Sequence, residues 1–75
     1  MNNYPNGRYV TWKWGRGKAQ GKVVESYDFV VSREIDGSTI TRNGSPDNPA
    51  YLIQQDDGGE VLKLHSEISA LTGSK

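Results

Sequence analysis

Seventy-five residues, no cysteine and a formal net charge of zero describe one small domain, with neither disulfides nor thiolate metal sites to hold it together. The charge is unevenly spread: Arg8, Lys13, Arg16, Lys18 and Lys22 precede the first acid, Glu25, and the remainder holds four bases against nine acids. Overall balance argues against strong sequence-independent binding to nucleic acid, and leaves the basic stripe as a phosphate-attracting or merely solvated strand face, or one laid beside the acids by folding.

MNNYPNGRYV has no apolar core of a secretory signal, and no run approaches the roughly 18 apolar residues of a membrane span, so the expected location is cytoplasmic with no membrane partner. Residues 1–8 read as an N-terminal tail. From Tyr9 to Trp14 the chain alternates, with Val10, Trp12 and Trp14 on one face and Tyr9, Thr11 and Lys13 on the other, which is a strand. Gly15-Arg16-Gly17 turns it. Lys18 to about Val31 reads as one long strand, and the failure of alternation at Val23-Val24 predicts a bend or bulge, with Gly21 available to form it. Asp36-Gly37 is a type I′ hairpin signal that sets Ile35 opposite Ser38 and Arg33 opposite Ile40.

Seven turn-forming residues follow, Asn43 to Pro49. Asn43-Gly44 suits positive φ, Ser45 and Asp47 can bond nearby backbone N–H groups, and Pro46 and Pro49 each fix φ. Such a loop is pre-organised, which suits either a binding edge or a well-made connector. Ala50–Gln55 and Glu60–Leu64 are strands joined by a turn at Asp56-Asp57-Gly58-Gly59. Ser66, Glu67, Ile68 and Leu71 suffice for about one helical turn, and 72–75 is a C-terminal tail. The expected fold class is all-β, a small five-stranded SH3-like antiparallel barrel over 9–71. Its expected core is Val10, Trp12, Val23, Phe29, Val31, Ile40, Leu52, Ile53, Leu62, Leu64 and Ile68.

The segments VTWKWG, AQGKVVE, ITRNGSPDNPAYLIQQDDG and VLKLHSEI resemble the hypervirulence-associated protein Tudor-domain family from about Tyr9 to Leu71. The resemblance implies a Tudor-like β-barrel and no enzymatic activity, and it makes the 43–49 loop a family feature.

The residue inventory agrees on activity. His65 is the sole histidine and no nucleophile turn accompanies it, so no catalytic residue is assigned. Asp56, Asp57 and Glu60 lack the spacing of a calcium loop and are what a tight turn needs, so neither metal nor cofactor is expected. The leading expectation is a module that binds a protein or peptide. Some Tudor-like barrels hold a methylated cation in a cage of aromatic rings by cation–π attraction. Trp14, Tyr27 and Tyr51 are the candidate rings here, with Asp47 or Asn48 as a polar wall. Filling a small core is the weightier reading of the same rings, Trp14 and Tyr51 included. The alternative is nucleic-acid binding by WKWGRGK, through Lys13, Trp14, Arg16 and Lys18, where rings stack on bases and cations meet phosphates.

Overall fold

The computed structural model describes residues 4–56 and 58–71. Its strands are β1 (Tyr9–Trp14), β2 (Gly17–Tyr27), β3 (Val30–Ile35), β4 (Ser38–Asn43), β5 (Ala50–Gln55) and β6 (Glu60–Leu64), then a 3-10 turn at His65–Glu67 and a two-residue strand β7 (Ser69–Ala70). All pairings are antiparallel, in one sheet of order β6-β5-β2-β1-β7 and a separate ribbon β3-β4. The fold is the expected small all-β, barrel-like one.

The hairpin ends follow from turn chemistry. Asp36 and Gly37 both have positive φ, 51° and 79°, and Ile35 pairs with Ser38 and Arg33 with Ile40, as the Asp-Gly signal predicts. Gly15, at φ 58°, opens the two-residue turn that leaves Trp14 opposite Gly17.

The expected long strand from Lys18 to Val31 is two strands. The register slips between Val23, opposite Ile53, and Glu25, opposite Leu52, so Val24 is the extra residue of a bulge. Gly21 does not form it: Gly21 stays in register, opposite Val10 on one side and Gln55 on the other. A Cβ there would lie 2.6 Å from the Gln54 carbonyl oxygen and 2.7 Å from Ile53 Cγ2, so the glycine is required by close strand approach. After Tyr27 the chain bends at Asp28-Phe29 and restarts as β3. That corner displaces Phe29 from the core position expected of it, and its ring is 59% exposed. Ile40 and Leu64, also expected in the core, are half-buried against it.

The core is double. Val10, Trp12, Val23, Tyr51, Ile53 and Ile68 form one cluster, and Val31, Ala50, Leu52 and Leu62 the other. Tyr51 and Ile53 alternate with Ala50 and Leu52 along β5, so this strand is buried on both faces. Alternation does the same at the bulged point of β2, where Val23 joins the first cluster and Val24 packs against the second. The β3–β4 ribbon covers the second cluster with Val31, Ile35 and Ile40. Trp12 anchors the first, although its buried indole N–H has no acceptor among the described residues.

The chain ends close the first cluster. The expected N-terminal tail is tied down from Tyr4 to Arg8: Gly7 N–H donates to Val23 O at 2.7 Å, and Val23 N–H to Arg8 O at 2.9 Å. The Tyr4 ring stacks on His65 at 4.8 Å. Tyr4 N–H donates to the Tyr51 hydroxyl at 3.0 Å, and Tyr51 Oη lies 3.0 Å from His65 Nδ1. The expected helical turn is the shorter 3-10 turn, whose Glu67 carboxylate accepts from Leu64 N–H at 2.8 Å. Beyond it Ile68 is buried, and β7 pairs Ala70 with Val10 and Ser69 with Thr11. The expected tail at 72–75 lies outside the described residues.

Two outcomes test this packing. Gly21→Ala should lose about 1–3 kcal/mol, because backbone and a buried methyl both stand in the way, while Gly17→Ala, which meets nothing within 4 Å, should be close to neutral; chemical denaturation compares them. Burial pushes the Tyr51 phenol above its ordinary 10.0, outweighing the opposing Tyr4 N–H hydrogen bond. The folded state thus holds this proton more tightly than the unfolded chain, a contribution complete below about pH 10 and lost as pH rises through the raised value. Denaturation midpoints should fall across that window, and less steeply in Tyr51→Phe.

Candidate functional site

The 43–49 loop is a miniature hairpin. Ser45 and Asn48 exchange two backbone hydrogen bonds, of 3.1 and 3.0 Å, across a Pro46-Asp47 tip, and Asn48 N–H also lies 3.1 Å from Ser45 Oγ. The Asn48 amide is used at both ends: Nδ2 donates to Ser66 Oγ at 3.2 Å, and Oδ1 accepts from Ser66 N–H at 2.9 Å. His65 N–H donates to Pro49 O at 2.8 Å, so the loop is stapled to the 3-10 turn. Asp47 stays exposed at the tip. Gly44 is not among the residues with positive φ, contrary to its expected role. It is needed because a Cβ would meet Tyr27 O at 2.6 Å, Phe29 O at 2.7 Å and Ala50 N at 3.1 Å, all main-chain atoms. The loop is thereby pressed against the Tyr27–Phe29 corner.

That corner carries aromatic surface. The Tyr27 and Phe29 rings meet edge to face at 5.8 Å, and Val30 beside them is 61% exposed. The Tyr27 hydroxyl donates to the Glu25 carboxylate, and this bond is the first cause raising its ionisation above 10.0, ahead of burial. Asp28 lies between the two rings in sequence and is exposed, as is Glu25. The corner is therefore aromatic and acidic, with Arg33 near enough to act on the Tyr27 phenol as the opposing charge.

The three rings expected to act together do not meet. Tyr51 is fully buried, so it offers no ring face to a ligand. Trp14 is 70% exposed, but it pairs with Gly17 at one end of β2, whereas Tyr51 pairs with Ser26 and Tyr27 with Ala50 at the other. The nine residue-to-residue steps of β2 from Gly17 to Ser26 amount to roughly 30 Å of strand. Phe29 takes the place beside Tyr27 that Trp14 cannot reach. Its sequence signal was an aspartate set between two aromatics where alternation breaks.

At the far end, β1 and β2 present an exposed face of Tyr9 opposite Lys22, Thr11 opposite Gln20, and Lys13 opposite Lys18. Among the described residues the ion pair within 4.0 Å is Arg42–Glu67, at 3.9 Å, and none of these bases takes part in it; one acid of the other half does reach this face, since Asp56 Oδ2 accepts from Gln20 Nε2 at 3.3 Å. Arg16 sits in the turn beyond Trp14. Among the described residues no group of three His, Asp or Glu is placed to hold a metal ion, and no helix is long and apolar enough to cross a membrane.

No curated protein and no solved structure matches the chain. The model of the hypervirulence associated proteins TUDOR domain matches residues 7–68, which takes in both core clusters, the loop and the aromatic corner. The chain belongs to the hypervirulence-associated protein Tudor-domain family.

Proposed function

We propose that this protein is a non-catalytic module that binds a peptide or protein partner at the corner formed by Tyr27, Phe29 and Val30 beside the 43–49 loop. One observation carries the reading: Phe29 is 59% exposed on a main-chain corner that Gly44 buttresses. A large ring left in water on a rigid support is costly for folding and useful for contact. Two ring edges and faces with Glu25, Asp28 and Asp47 nearby in the fold or on the adjoining loop favour a cationic side chain, bare or methylated. Family membership supports the binding class.

NMR titration with peptides carrying lysine, trimethyllysine or dimethylarginine tests it. Amide shifts should concentrate on residues 25–30 and 43–48, and Phe29→Ala should weaken binding about five- to tenfold. Shifts confined to the Trp14 turn would sink the assignment.

Nucleic acid is a second reading, carried by a different observation. Lys13 and Lys18 stand directly opposite each other on an exposed face, an arrangement that costs stability unless an anion lies over it. With Arg16 in the adjoining turn and Trp14 exposed at the strand end, the ribbon offers phosphate contacts and a stacking ring. If a single-stranded oligonucleotide binds here, affinity should fall steeply with salt. Lys13→Ala with Lys18→Ala should then flatten the log–log slope by about 1–2. An unchanged slope excludes this face.

A further inference from the structure

We propose that the free edge of β6 is a second docking site, at which an extended segment of a partner polypeptide adds as a strand. β6 ends the larger sheet on one side, and β4 is an edge of the ribbon. The two edges flank an open groove of about 350 Å³, lined by Ile35, Ile40, Val61 and Leu62 with charges of both signs, Arg42 and Lys63 against Asp36 and Glu60. No ladder joins them.

Hydrogen-bond direction shows what the groove presents. Arg42 Nε donates to Leu62 O at 3.1 Å, so the Leu62 carbonyl points away from β5. In an antiparallel strand the N–H of the same residue points the same way, and residues two positions along share that direction. The main-chain groups of Glu60, Leu62 and Leu64 are therefore turned to the free edge. Leu64 N–H confirms the phase, since it donates outward to Glu67 Oε1 at 2.8 Å. On the other wall, Ile35 and Ser38 flank the two-residue turn and bond each other. Alternation then turns the main chain of Thr39 and Thr41 outward.

Two side chains stand where an added strand would be. The Arg42 guanidinium supplies the donor that a strand N–H would give to Leu62 O, and the Glu67 carboxylate supplies the acceptor that a strand carbonyl would give to Leu64 N–H. Each is about one third exposed, and they pair with each other at 3.9 Å. Moving them aside breaks one charge-assisted main-chain hydrogen bond each, which the added strand replaces with its own N–H and carbonyl; the ion pair between them, that exposed, contributes little. Leu62 N–H has no such stand-in among the described residues. An apolar small molecule fills the groove but leaves these donors and acceptors unmet. A polypeptide in extended conformation meets them and sets alternate apolar side chains against Ile35, Ile40 and Val61. Edge guarding by Arg42 and Glu67 also keeps free β6 edges from pairing with one another.

The probe is a peptide of about nine residues, alternating threonine and valine with lysine at each end, compared with the same peptide N-methylated at alternate backbone amides. Binding should slow hydrogen exchange at the Glu60 and Leu62 amides, and N-methylation should weaken it about tenfold or more. Arg42→Met should tighten binding about threefold by freeing Leu62 O. Retained affinity after N-methylation, weaker binding by Arg42→Met, or no binding of either peptide overturns the proposal. So does slowed exchange at Glu60 and Leu62 that tracks a rise in mass of the protein alone, which would make the occupant a second copy. Because residues 25–30 and 43–48 are read separately in the same spectra, failure here is distinguishable from failure at the aromatic corner.

Discussion

Burial of both faces of β5 is the constraint on which the rest depends. Ala50, Tyr51, Leu52 and Ile53 are all buried, in a chain too short to enclose one large core. One face takes Trp12, Val10 and Ile68, and the other takes the β3–β4 ribbon. Because successive side chains point to opposite faces, a strand can serve two cores only if its neighbours also change sides. β2 serves both clusters through Val23 and Val24, and the bend at Asp28-Phe29 then carries the chain across to the second face.

The surfaces proposed for binding are by-products of that arrangement. Turning the chain sharply at Asp28-Phe29 throws Phe29 outward, and Gly44 lets the 43–49 loop close on the same main chain. Making the ribbon separate from the sheet leaves β3 and β4, β6 and β7 as edge strands, and β4 and β6 are the two edges that flank the groove. A single continuous ladder would have removed both edges. Arg42 answers this locally: it leaves the half-buried surface of the ribbon to bond the β6 main chain and approach Glu67.

Tyr51 shows why a site is harder to read than a fold. Its place after the proline-bounded loop suited both a cage wall and a core plug, and its burial makes it the second. Its hydroxyl then joins the N-terminal segment to His65, contacts 47 and 14 residues apart in sequence. No local pattern announces partners at such separations. Trp14 was misplaced for the converse reason. It shares a face with Trp12 by alternation, but the core ends before the strand does.

What the sequence determined by itself is local. Strand alternation, the Asp-Gly turn with its register, the glycine turn after Trp14 and the strands Ala50–Gln55 and Glu60–Leu64 are set by steric preferences of a few neighbouring residues. The TRNG, DNPAYLI and KLHSEI segments likewise carry the family. The tertiary structure alone decided that there are two cores, that Phe29 and not Tyr51 faces solvent, that Tyr4 to Arg8 are fastened, and that β7 exists. Each of these turns on which distant segment covers a given face. That choice is made by competition among all the apolar surfaces of the chain at once, which no short window contains.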